Sequence, residues 1–365
     1  MPVVIKIGSN VVSSGGGETR DDVLTAISAQ IARLHADHRQ VVLVTSGAIA
    51  KGMSLLGLKA RPNAMDELQA SSAVGQGKLY RRYDELLHSH GINSAQILLT
   101  FGDMSARANY VNARQTLRKL LEWNVIPIIN ENDTTATDEI TFGDNDFLAA
   151  QVAILLKAKL LVLATDIDGL HTADPSRSAG AELISRVDDF ADIRDLDIGS
   201  SASAIGSGGM ASKVVAAEMA TAGGVEVVVC NGLTDGAIES AVGGAQIGTR
   251  FSPHEQPYSS FKLWLRYAKE SRGQLKIDAG AERALREQKT SLLPVGIVSA
   301  SGDFSAGDAV DIVAADQPER LIGKGIVNYT VDELKRIAGM KSEQVQELMP
   351  RATDEAVHRD YLVLT

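Results

Sequence analysis

Val3-Val4-Ile5-Lys6-Ile7-Gly8-Ser9-Asn10 decides how the chain reads. Its first five residues are apolar apart from one lysine, with no polar alternation, as expected of a strand covered on both faces in a parallel sheet. The run stops at Gly-Ser-Asn, three small residues suited to a turn. Two uses of this turn are open. It is a plain tight turn with Lys6 reaching solvent, or its backbone N–H groups approach an anion to which Lys6 adds a charge.

The same pattern repeats outward from this stretch. Val41 to Thr45 is a second continuous apolar run and ends in Ser46-Gly47. Ala95 to Thr100, Val125 to Ile129, Leu160 to Ala164 and Val225 to Val229 follow. The fourth strand ends in Asn130-Glu131-Asn132-Asp133 and the fifth in Thr165-Asp166. Helical spacing separates the strands. Val23, Leu24, Ile27, Ile31 and Leu34 fit a helix capped by Asp21 or Asp22. Further helices are expected over Ala64 to His90, Asn109 to Trp123, within Gly143 to Leu156, and after the glycine run from Gly206. The fold class is therefore α/β: an open, mainly parallel sheet with helices on both faces. Such sheets bind ligands beyond the carboxyl ends of their strands, where the polar and glycine clusters of this chain lie.

Near Arg250 the pattern changes. Phe251 to Ser271 contains Pro253, Pro257 and polar residues and reads as a connector. Beyond it, Gln274 to Ile277, Val295 to Ser299, Ala309 to Val313 and Leu321 to Val327 read as short strands with close turns, as in a small β-barrel-like domain.

Composition limits the function. The 365 residues carry a net charge of −10, and the stretch from Gly273 to Pro350 holds more acidic than basic residues, so no basic footprint for nucleic acid is present. The single cysteine, Cys230, excludes a disulfide scaffold and fits a reducing compartment. No apolar stretch has membrane-span length and the N-terminus lacks a secretory pattern, so a cytoplasmic location is expected.

Gly206-Ser207-Gly208-Gly209-Met210-Ala211-Ser212-Lys213 opens a helix with glycines and a lysine in its first turn, suited to a phosphate tail or to a ligand-free flexible loop. It is neither a Walker A loop nor a dinucleotide fingerprint. Gly143-Asp144-Asn145-Asp146 places two carboxylates at a helix start, either as caps or as partners for ammonium groups or hydrated Mg²⁺. Asn130 to Asp133 either satisfies local backbone groups or binds a substrate with an ammonium group. His358-Arg359-Asp360 lacks the context of a kinase catalytic loop, and Asp166-Ile167-Asp168-Gly169 lacks the glutamate of a calcium loop. The histidines show no metal-like grouping, and no residue is assigned as a metal ligand.

Taken together, Val4 to Asn10, Val44-Thr45-Ser46-Gly47-Ala48-Ile49-Ala50, Ile129 to Asp133, Phe142 to Asp146, Leu163 to Asp166, Gly169 to Pro175 and Gly206 to Lys213 resemble motifs of the amino acid kinase family. The tail resembles a PUA domain. The implied organisation is a catalytic domain over 1–255, a linker over 256–272, a PUA domain over 273–350 and a C-terminal tail over 351–365. The implied reaction is ATP-dependent phosphorylation of the γ-carboxylate of L-glutamate, opening proline biosynthesis, with Mg²⁺ accompanying ATP and proline as inhibitor. Lys6 and Lys213 would neutralise the transferring group, Asp146 would orient them, and Asp144 would assist through Mg²⁺-bound water. Ser46, Asp133 and Asn145 would hold glutamate. Thr165 and Asp166, with Ser207, Gly208, Gly209, Met210, Ala211, Ser212 and Lys213, would contact ATP. Homo-oligomerisation and a glutamyl phosphate reductase partner are also implied. The alternatives are a kinase of acetylglutamate or aspartate, and an RNA-binding PUA protein with a vestigial kinase domain. The sequence departs from the family's pattern at Ser71-Ser72 and Ala149, which read as swaps in or near the core.

Overall fold

β1 (Val3–Ile7) is buried along its whole length, Lys6 included. The computed structural model that shows this describes residues 1–13, 20–100, 103, 107–135, 145–175, 177–178, 180–194, 196, 209–255, 258, 260–267, 269, 271–349 and 354–365. These fall into two compact units, Met1–Pro257 and Tyr258–Thr365.

In the first unit, helices and strands alternate. After β1 come α1 (Ser9–Val12), α2 (Asp21–Ala36), β2 (Val41–Thr45), α3 (Ala48–Leu56), α4 (Met65–His88) and β3 (Ser94–Leu99). There follow α5 (Arg107–Glu122), β4 (Ile126–Glu131), α6 (Asp146–Leu156), β5 (Leu160–Thr165) and β6 (Arg186–Val187). The unit closes with α7 (Met210–Ala222), β7 (Glu226–Asn231), α8 (Ala237–Gly243) and β8 (Thr249–Phe251). The described strands form one sheet in the order β3-β4-β2-β1-β5-β7-β8-β6. It is parallel from β3 to β7, and β8 runs antiparallel to β7. β1 is central, with Lys6 opposite Val44 on β2 and Leu163 on β5. The exits of β1, β2 and β5 therefore lie side by side, the expected ligand edge.

Alternation along β1 explains where Lys6 points. Val3, Ile5 and Ile7 pack into one core with Leu24, Ile27 and Ile31 of α2 and Leu79, Tyr83 and Leu87 of α4. Lys6 faces the other way, towards the helix that begins at Asp146. At the strand exit the Gly8 amide donates to the Ala164 carbonyl at 3.0 Å, and the Ser46 amide donates to the Ile7 carbonyl at 3.2 Å. Helices α3 and α4 touch backbone to backbone. A Cβ on Gly75 would lie 2.0 Å from the Ala48 carbonyl oxygen, so only glycine permits this approach.

Two local expectations are corrected. Asp21 and Asp22 do not cap α2. Arg20 is the N-cap residue, without a side-chain bond, and both carboxylates lie in the first turn, where they suit the helix dipole. Asp21 also pairs with Arg82 at 2.8 Å. Neither is Asp146 a cap: the N-cap residue is Asn145, which makes no capping bond.

The second unit contains α9 (Ser260–Tyr267), β9 (Ser271–Ile277), α10 (Ala279–Glu287), β10 (Ile297–Gly302), β11 (Ala309–Ala314), β12 (Leu321–Val327), α11 (Val331–Ile337), α12 (Ser342–Leu348) and β13 (Val357–Leu364). Its sheet order is β10-β9-β11-β12-β13. Thr330 and Glu333 form a capping box at α11. The connector expected over 256–272 differs from the structure, because α9 lies within it and Leu265 is buried against Ala309 and Val363. The tail expected over 351–365 contains β13, which pairs antiparallel with β12. Both elements belong to the second unit.

A chain ended at Pro257 is expected to give a soluble, cooperatively melting first unit. A chain ended at Ser271 would carry α9 without the sheet that buries Leu265, so it is expected to aggregate more. Circular dichroism melts and light scattering of the two fragments check this. A Pro257 fragment that does not fold would overturn it.

Candidate functional site

Asp146 is fully buried at the first turn of α6, and two lysines meet it from distant parts of the chain. Lys6 Nζ, from β1, lies 2.8 Å from Oδ1. Lys213 Nζ, from the first turn of α7, lies 3.1 Å from Oδ2. Ser212 Oγ lies 3.0 Å from the same Oδ2 and 2.8 Å from the Gly209 carbonyl oxygen, and its single proton serves these two acceptors in turn. Burial alone would raise the Asp146 carboxyl, but the charges of Lys6 and Lys213 outweigh it and hold it down at about 2. The carboxylate is thus permanently ionised and holds two ammonium groups at fixed positions beside the exit of β1. A side chain on Gly8 would stand 3.7 Å from Lys6 Nζ and 3.2 Å from the Ala164 carbonyl oxygen, so its absence keeps that approach open.

A second set of polar groups lies at the exits of β2 and β4. Asn145 is buried, and its Nδ2 donates to the Thr45 carbonyl and to Asn130 Oδ1. Asn130 Nδ2 donates in turn to Gln76 Oε1 on α4. Asp133 Oδ2 accepts from Ser72 Oγ, also on α4. Ser46 follows β2 and is buried, and Gly47 behind it has φ 107°, a backbone conformation suited to glycine. Below these groups Thr45 Oγ1 donates to the buried Tyr83 hydroxyl at 3.2 Å, and burial pushes the Tyr83 pKa up.

The exit of β5 carries Thr165 and Asp166. Asn10 Nδ2 donates to Asp166 Oδ2 at 3.1 Å, which ties the first motif to this one. Asp168 accepts from Asn231 Nδ2 at 3.0 Å at the end of β7. Cys230, on β7, is buried, and its thiol is pushed up to about 12 by burial, as suits a core residue.

Lys6, Asp146, Ser212 and Lys213 therefore form one cluster, and Asn145 joins a second through Asn130. Gly209 is the N-cap residue of α7, with Met210 and Ala211 in its first turn. Ser207, Gly208 and Asp144 lie outside the described residues. Sequence reasoning missed Gln76 and the contact of Ser72 with Asp133. Ser72 is not a mere core swap, because its hydroxyl meets a carboxylate of the site. No metal cage is present among the described residues, where no group of three or more acidic, histidine or cysteine side chains is placed to hold an ion. Both oxygens of Asp146 are already engaged with lysines.

Residues 1–231 match the model of the amino acid kinase family, and residues 273–349 match the PUA domain. The chain belongs to the amino acid kinase family. A glutamate 5-kinase of Synechococcus sp. (strain JA-3-3Ab) is 46% identical over 364 residues, covering 99% of this chain and 98% of its own. A glutamate 5-kinase of Thermoanaerobacter sp. (strain X514) is 40% identical over 365 residues, covering 100% and 98%. One from Meiothermus ruber is 44% identical, covering 99% and 95%. The family match spans both clusters, and the likeness to these relatives runs through the second unit as well.

Proposed function

We propose that the protein transfers the γ-phosphoryl group of ATP to the γ-carboxylate of L-glutamate, giving L-glutamyl 5-phosphate and ADP, the first step of proline biosynthesis. The observation that carries this reading is the pair of buried lysines held on one carboxylate at the exits of β1 and β5. The attacking group is a carboxylate with an ordinary pKa near 4.3, already ionised at neutral pH, so the reaction needs no general base. What it needs is the in-line meeting of two anions. A carboxylate oxygen of glutamate forms a bond to the γ-phosphorus as the bond to the β-phosphate bridging oxygen breaks. Lys6 and Lys213 offset the charge on the transferring group, and Asp146 keeps both ammonium groups in place. Ser46, Asp133 and Asn145 hold the substrate, with Asp133 as the natural partner of its ammonium. Thr165, Asp166 and the start of α7 receive the nucleotide. Mg²⁺ would enter on the ATP phosphates, as is usual for this ion.

The test is a substrate panel with ATP in which hydroxylamine traps acyl phosphate. Glutamate is expected to react at least about 10²-fold faster than N-acetylglutamate, whose blocked amine leaves Asp133 without its cation. Equal rates with the two would sink the assignment. Proline shares the α-carboxylate and ammonium of glutamate but has no γ-carboxylate to phosphorylate. It is therefore read as a competing inhibitor of the same pocket. The polar segment 134–139 that follows Asp133 is where the sequence places the difference between the two ligands, and from residue 136 it lies outside the described residues.

A further inference from the structure

Helix α4 carries none of the residues that the motifs single out, yet two of its side chains end at the substrate side of the site. Ser72 and Gln76 are four residues apart and so share one helix face, a turn apart. Ser72 Oγ donates to Asp133, and Gln76 Oε1 accepts from Asn130 Nδ2. From Gln76 the bonds run in one direction only. With its Nδ2 turned to Gln76, Asn130 presents Oδ1 to Asn145 and accepts from Asn145 Nδ2. The same Asn145 nitrogen also donates to the Thr45 carbonyl. A carboxamide has two N–H donors and one carbonyl oxygen. Both donors of Asn145 are spent on the protein, so the group it can offer a ligand is Oδ1, an acceptor.

We propose that Ser72 and Gln76 are positioning residues that set this side of the pocket as an array of acceptors, the Asp133 carboxylate and Asn145 Oδ1, and so select a substrate with a free ammonium group. This rests on the kinase reading above and specifies its substrate selectivity. Without the Gln76 acceptor, Asn130 is free to turn over. Its Nδ2 would then face the Nδ2 of Asn145, and Asn145 would lose the bond that helps fix its orientation. Without the Ser72 hydroxyl, the Asp133 carboxylate loses the donor that holds one of its oxygens. Either change weakens recognition of the amine while leaving the lysine cluster around Asp146 untouched.

The experiment measures binding rather than turnover. Calorimetry on the full chain compares glutamate with glutarate, the same dicarboxylate without the amine, and with ATP. In Gln76→Leu the preference for glutamate over glutarate is expected to fall about tenfold, the worth of one well-placed hydrogen bond to a charged partner. In Ser72→Ala it is expected to fall about fivefold. ATP binding and the affinity for glutarate stay within twofold in both. Gln76→Glu, which keeps an acceptor towards Asn130, is expected to recover most of the preference. A purely structural role for α4 would weaken both dicarboxylates together, and that result overturns the proposal. An unchanged glutamate-to-glutarate ratio in Gln76→Leu overturns it as well. Hydroxylamine trapping with the unsubstituted protein reports on the kinase reading separately. A protein that binds glutamate but forms no acyl phosphate fails that reading, while the binding ratio still decides the role of Ser72 and Gln76. No glutamate binding by the unsubstituted protein overturns both.

Discussion

Asp146→Asn is expected to cost about 3–5 kcal/mol of stability and to abolish measurable turnover. The substitution keeps size and shape but removes the charge between Lys6 and Lys213, both of which are buried. Two like charges would then face one neutral amide away from water, with Ser212 bonded to the same group. Breaking a buried ion pair from one side is far more costly than an exposed pair would suggest, because the remaining charges stay desolvated. The pH dependence has a definite sign. The folded-state pKa of Asp146 lies at about 2, below the ordinary value of 3.8, so ionisation of this group favours the folded state. Its contribution is complete above the ordinary value and disappears as pH falls towards about 2. Urea unfolding at neutral pH and at pH 3 checks this. The gap in stability between the native protein and Asp146→Asn should narrow on acidification. A gap that is small at neutral pH, or that widens in acid, would show that Asp146 is not the anchor of the cluster.

The parts of the fold that were legible in the sequence share a cause. β1, β2 and β5 are buried on both faces, so their sequences are nearly continuous apolar runs ended by small or polar residues. β13 is the opposite case. It is an edge strand whose outward residues include the exposed Arg359 and Asp360, and that polar interruption hides its periodicity. α9 is only eight residues long and follows two prolines, so turn signals outweigh Leu263 and Leu265. The lysine cluster follows the same logic at a longer range. Positions 6, 146 and 213 have no local spacing that would join them, and their grouping came from motif resemblance. The sheet brings them together because β1 and β5 are neighbours and α6 leads into β5. Ser72 stands out in the sequence only as a departure from the family's pattern that reads as a swap in or near the core, and nothing local marks Gln76, because a lone polar residue on a long helix reads as part of a solvated face. Their role appears only when the exit of β4 is placed against α4.

Lys213→Met separates chemistry from stability more cleanly than any other change at the site. Methionine keeps most of the length and apolar character of the lysine stem and removes only the ammonium group. Asp146 retains its 2.8 Å contact with Lys6 and the hydroxyl of Ser212, so its charge stays compensated. Stability is therefore expected to stay within about 1 kcal/mol of the native protein, in contrast to Asp146→Asn. Turnover is another matter. Lys213 stands in the first turn of α7, where backbone N–H groups and the positive helix end would also meet the nucleotide in the proposed reaction. Charge in phosphoryl transfer builds on the moving group and on the leaving oxygen, so a cation fixed there stabilises the transition state more than bound substrate. Removing one such preorganised group is expected to lower kcat by about 10²–10³-fold, with the KM for glutamate moved by less than about threefold. Lys213→Arg should recover little, because a planar guanidinium cannot occupy the point position of an ammonium on Asp146 Oδ2. Steady-state kinetics by hydroxylamine trapping, alongside thermal melts of the same samples, decide the matter. A Lys213→Met protein with near-normal kcat would remove this lysine from the transition state, and one that unfolds would show that its charge serves the fold instead.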